Sequence, residues 1–77
     1  MSNFISDAKK LPPRISLFGN SELIIEDYLK IHSIKENEIT IKTAIGALSI
    51  EGKNLVVSKI NDNVIGILGE ISKICYI

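Results

Sequence analysis

Apolar and polar residues alternate over most of the chain, and the alternation breaks at short runs of turn-forming residues. Successive side chains of a strand point to opposite faces, so a period of two predicts half-buried strands. The pattern is clearest from Glu38 to Gly69. Glu38 to Thr43 and Ala47 to Glu51 place Ile39, Ile41, Leu48 and Ile50 on single strand faces, where a helix would scatter them around its circumference. Gly52-Lys53-Asn54 reads as a turn into a further strand, Leu55 to Ile60. The continuous run Leu55-Val56-Val57 marks that strand as central and covered on both sides, or as bulged. Asn61-Asp62-Asn63 closes a hairpin into Val64 to Leu68. At Gly69-Glu70 the apolar phase shifts, which predicts a bulge before a last strand, Ile71 to Tyr76.

The first half carries the same signals. Pro12-Pro13 ends any helix in the weakly helical tail before it and suits a strand start or a sheet edge. Arg14 to Gly19 then alternates, with Ile15 and Leu17 on one face. Gly19-Asn20-Ser21 turns the chain into Glu22 to Glu26, where Leu23 and Ile25 face one way and Ile24 the other. Tyr28 to Ile34 reads as a third strand, ending at the polar connection Lys35-Glu36-Asn37. Two other readings fit Glu22 to Ile34, one long bent strand or a helix capped by Ser21, but its β-branched residues favour strands.

Loops of two to three residues cannot make parallel crossovers, so consecutive strands pair antiparallel. The expected fold is all-β, a small antiparallel β-meander of about seven strands closing into a sandwich or partly open barrel. A short β-solenoid is the alternative, suggested by the G-x-L-x-I-x-G pattern, although no constant period is present. Residues 12–77 form a single β domain and residues 1–11 an N-terminal tail. The expected core is Ile15, Leu17, Ile25, Ile39, Ile41, Leu48, Ile50, Leu55, Val57, Ile65, Ile67 and Ile71. Gly19, Gly46, Gly52 and Gly69 are the expected structural turns.

Composition sharpens this picture. In 77 residues, 45% are hydrophobic, more isoleucine than one small core hides, so the surplus predicts an interface and a homo-oligomer or bound protein partner. Nine basic and nine acidic residues cancel. A neutral chain with few, scattered aromatics lacks the basic, stacking surface that nucleic acid requires. The basic pair Lys9-Lys10, with Arg14 near it, reads as a solvated tail. The lone Cys75 permits no internal disulfide, which fits a reducing compartment. Met1 to Lys10 has no apolar signal region and no run is long enough to span a bilayer, so a cytoplasmic protein is expected, able to dock on a membrane protein.

Candidate chemistry is sparse. His32 is the only histidine, and no second histidine or cysteine stands at metal-ligand spacing, so no metal or other cofactor is expected. A catalytic reading would need His32 to act with Glu26 or Cys75. Glu22, Glu26 and Asp27 form a small acidic cluster, better read as a solvated strand face. The glycines form neither dinucleotide nor phosphate-loop motif and lead into no helix. No catalytic residue is assigned.

Several stretches together resemble one family. Leu11-Pro12-Pro13-Arg14-Ile15 with Leu17-Phe18-Gly19, then Ile25-Glu26-Asp27-Tyr28, then Ile39 to Thr43 with Gly46 to Gly52 and Leu55, and finally Gly69-Glu70-Ile71 with Ile74 and Tyr76, resemble in that order the YabP/YqfC family, on its YqfC side. The departures are the second proline, Asp27 where asparagine is common, and a short N-terminal tail. The resemblance implies a sporulation protein of endospore-forming bacteria, active in the mother cell during spore envelope development, linked to no enzymatic activity and paired with a sporulation membrane protein. Three functions compete: a self-associating or partner-binding module, a small enzyme using His32 with Glu26 or Cys75 (or a ligand-binding β-domain of unknown substrate), and a nucleic-acid binder.

Overall fold

The computed structural model describes residues 11–77. The tail expected over residues 1–11 lies, apart from Leu11, outside them. The described chain is all-β, with strands β1 Arg14–Phe18, β2 Glu22–Glu26, β3 Lys30–Ile34, β4 Glu38–Thr43, β5 Gly46–Asn61 and β6 Val64–Tyr76. All neighbouring strands are antiparallel, in one open sheet of order β1-β2-β6-β5-β4-β3. The sheet does not close into a barrel. Strands β3 to β6 form a meander, and the β1–β2 hairpin is added on the far side of β6.

Two corrections concern strand count. Gly52-Lys53-Asn54 is not a turn: the chain runs through it, and β5 is one strand of 16 residues. Likewise Gly69-Glu70 does not separate two strands but lies inside β6, of 13 residues. Six strands therefore replace about seven. The irregularity that the sequence signals at these points is real, because the β5–β6 register shifts between Glu51 and Gly52, between Lys53 and Val56, and between Val57 and Lys59. Bulges add a residue on one side only and bend a strand without ending it. Asn54, with φ 53°, and Gly69, with φ 141°, take left-handed backbone at this bend.

Bulging frees backbone N–H groups, and loops from both flanking hairpins accept them. Gly52 N–H donates to Asn37 O (3.1 Å) and Leu55 N–H to Glu36 O (2.8 Å). On the other strand, Gly69 N–H donates to Ser21 O (3.2 Å) and Ile71 N–H to Asn20 O (2.8 Å). A buried donor without an acceptor is expensive, so these contacts fix where each hairpin sits along the bend.

The sheet must double over. In a flat sheet β2 and β3 would be four strand spacings apart, about 19 Å. The link from Glu26 to Lys30 reaches at most about 14 Å. Asp27 begins the link in left-handed backbone (φ 62°), and its N–H donates to Asn63 O (2.7 Å), while Leu29 N–H donates to Lys42 O (2.8 Å). The link thus bridges the β5–β6 turn on one side and β4 on the other, and the inner faces of the two halves meet.

Between them lies the core: Leu23, Ile25, Ile39, Ile41, Leu48, Ile50, Leu55, Ile65, Ile67 and Ile71, all buried, with Tyr28, Ile31, Val57 and Ile74 packed against it. Two buried polar side chains are satisfied locally. Thr43 Oγ1 donates to Gly46 O (2.7 Å) and accepts from Ile45 N–H (3.2 Å); Ser49 Oγ donates to Glu38 Oε2 (3.1 Å). Leu23 is completely buried. Leu23→Ala should lower unfolding free energy by about 2–5 kcal/mol, the range for a large-to-small change in a packed core, as read from the midpoint of urea unfolding. A change under about 1 kcal/mol would place Leu23 outside the core.

Two residues expected in the core are not there. Ile15 is 38% and Leu17 48% exposed. They pair directly with Ile25 and Leu23, so they do lie on the inner side of the sheet. But β1 is the outermost strand, and the opposite half does not extend far enough to cover it. Alternation reports which side a residue faces, not whether anything lies on that side.

Candidate functional site

The residues offered for chemistry are dispersed. His32 is exposed on β3 at the register shift between Ile31 and Ser33. Cys75 is half-buried near the end of β6, opposite Ser49, which in turn lies opposite Thr40 of β4. Along this ladder His32 and Cys75 stand three strand spacings apart, about 14 Å. Glu22 and Glu26 lie on the outer side of β2, and Asp27 in the link. Glu26 Oε1 pairs with Arg14 Nε at 3.5 Å, a surface contact in which Arg14 is largely in water and Glu26 partly so, and which contributes little to stability. No group of three or more His, Cys, Asp or Glu side chains converges among the described residues.

The turn glycines divide by environment. Gly19 (φ 61°) lies in the β1–β2 turn and Gly46 (φ 139°) opens β5 after the Ala44-Ile45 turn. Gly52 needs no left-handed backbone; its constraint is the close crossing of β6 at Glu70–Ile71. Gly69 combines left-handed backbone with close approach to Asn54 and Leu55.

Exposed apolar side chains occur at several places on the sheet, Ile34 on β3 and Ile60 on β5 among them, and one sheet edge carries a continuous set. All five residues of β1 are exposed. Ile15 and Leu17 overhang the core on the inner side. On the outer side Phe18 starts a ladder row that continues through Glu22 to Leu68 and Val56, and Phe18, Leu68 and Val56 are all exposed. The register of β1 on β2 is unbroken, whereas the other free edges are interrupted or charged. β3 has its register shift at His32 beside Lys30; the outer part of β5 carries its shift at Ser58 beside Lys59; the outer part of β6 carries Lys73. Bulges and lysines on an edge discourage another strand from pairing with it. β1 has neither, and its one charge is Arg14 at the end of the strand, in weak surface contact with Glu26. The sequence marks this strand through Pro12-Pro13, which suits an edge, but gives no sign that its apolar residues stay uncovered.

No helix among the described residues is long and apolar enough to cross a membrane. No curated protein and no solved structure matches the chain significantly. A family model does match, over residues 9–77, which takes in the whole described sheet. By that match the chain belongs to the YabP family.

Proposed function

We propose that the chain is a non-enzymatic interaction module that acts in spore envelope development by self-association and by binding a sporulation membrane protein. Membership of the YabP family suggests a sporulation-related protein. The observation that carries the finer reading is the open, unbulged, alternately apolar edge of β1, whose one charge is Arg14. An exposed edge is a template for strand addition, in which main-chain hydrogen bonds supply affinity and alternate side chains supply specificity. The placement of His32 and Cys75 on strands that are not neighbours in the sheet supports a function without catalysis. The site of action on this reading is the mother-cell cytoplasm, with the chain held at a membrane by its partner.

Deleting the gene in its own endospore-forming host should lower the yield of heat-resistant spores and leave vegetative growth unchanged. A copy carrying His32→Ala, Glu26→Gln and Cys75→Ser together should restore spore yield, since none of these side chains does chemistry on this reading. A triple variant that folds and accumulates normally yet fails to restore spores would overturn the non-enzymatic assignment. Normal spore yield after deletion would overturn the sporulation role.

A further inference from the structure

The β1 edge admits one occupant better than any other, a second copy of itself. We propose that two chains associate by antiparallel pairing of β1 with β1, around a two-fold axis at Ser16; this deepens the interaction-module reading and rests on it. An edge strand joined antiparallel to its own copy gives an isologous contact, closed after two chains, so the pairing makes a dimer and not a fibre.

The sequence of β1, Arg14-Ile15-Ser16-Leu17-Phe18, is self-complementary about its centre. With Ser16 opposite Ser16 of the second copy, Ile15 of each chain lies opposite Leu17 of the other. All four are on the inner side of the merged sheet, and they are the aliphatic residues left overhanging by the monomer's own core. Cross-strand aliphatic pairs are the unit by which a sheet gains stability. The small hydroxyl side chains meet at the axis on the outer side, where they can hydrogen-bond. Arg14 falls opposite Phe18 of the other copy, so no like charges meet, and a guanidinium beside an aromatic ring is favourable.

Arg14 is the one charged residue of β1, and its weak surface contact with Glu26 leaves the guanidinium free to reach that ring. The unbroken β1–β2 register leaves a straight row of outward N–H and C=O groups along β1, as a two-fold strand pair requires. A contact of two five-residue strands lies at the small end of specific interfaces, below about 1,200 Å² in total, so the dimer is a reversible one.

Light scattering on the eluting full-length chain, loaded from about 1 µM to 1 mM, should show a mass rising from one chain to two. Leu17→Lys places a charge on the inner side of the edge, at an exposed position, and should raise the dissociation constant at least tenfold. Geometry is tested separately in a Cys75→Ser background. Ser16→Cys should form an intermolecular disulfide in a glutathione buffer, because residues paired across strands come within disulfide range. Phe18→Cys should not, because the two copies of that position lie about 14 Å apart along the paired strands. A dimer that survives Leu17→Lys and gives no Ser16→Cys disulfide would overturn β1 pairing while leaving an interaction module with another contact surface. A single-chain mass up to 1 mM would overturn the second copy as occupant, and spore yield would still test the wider role independently. If Leu17→Lys fails to fold, the contrast between Ser16→Cys and Phe18→Cys decides alone.

Discussion

Gly52→Ala should strip the chain of a large part of its stability. At Gly52 strands β5 and β6 cross so closely that a methyl group would run into the carbonyl oxygen of Glu70, and would lie 3.0 Å from that carbonyl carbon and 3.1 Å from Ile71 Cα. All three obstacles are backbone, held in β6 by hydrogen bonds to β5 and to the β1–β2 turn. Neither strand can move aside without losing the bend on which both flanking hairpins are seated. A chain of this size is stable by roughly 4–12 kcal/mol in total, and a backbone collision of this kind removes a large part of it. Far-UV circular dichroism and a urea titration would read the result. A Gly52→Ala protein with the wild-type midpoint would show that the two strands do not meet at this point. Gly19→Ala is the contrasting change: Gly19 has left-handed backbone but nothing within 4 Å of the added carbon, so its cost is only about 1 kcal/mol.

Ile50→Asp should be among the most damaging substitutions of a core side chain. Ile50 is fully buried, between Ile39 on β4 and Ile74 on β6, where the two halves of the sheet press together. No cationic side chain is among the core residues. An unpaired carboxylate there would forfeit its hydration for several kcal/mol, beyond the loss of aliphatic packing. Burial favours the protonated acid, so the folded state of this variant would bind its proton more tightly than the unfolded chain. Its stability should therefore fall as pH rises above the ordinary aspartate range near 4 and recover in part below it. Thermal melting at pH 4 and pH 7 would show the difference. A soluble variant melting as wild type at pH 7 would place position 50 on the outside of the sheet.

The strands themselves were readable from alternation. β2 and β4 begin and end where the pattern does, because each is bounded by polar turn residues and has one covered side. The bend in the long hairpin was not readable for what it is. Gly52-Lys53-Asn54 has the composition of a turn, and the same residues serve a bulge, since both require small or left-handed-tolerant positions. Only the pairing partner distinguishes them, and the partner lies at Glu70–Ile71. The placement of β2 beside β6 was equally hidden, because nothing local in Glu22–Glu26 points to Val64–Leu68. For the same reason Ile15 and Leu17 looked like core: their phase is correct, but coverage depends on how far the opposing half extends. Leu23 shares Ile25's side and could have been named with it. At the candidate site, the residues with reactive groups were visible individually, whereas the uncovered edge emerged only with the strand order.

The pairing of β2 with β6 also has a consequence during synthesis. The β1–β2 hairpin is synthesised well before the segment it must join, Val64–Leu68, with β3, β4 and β5 made in between. At translation rates of about 5–20 residues per second, synthesis of the intervening residues takes roughly 2–8 s, and until β6 is available Leu23 and Ile25 have no partner strand on that side. Strands β3 to β6 can assemble on one another as they emerge, so the N-terminal hairpin docks as the final step. Before that docking, uncovered apolar side chains and an unpaired edge of β6 open the newborn chain to aggregation.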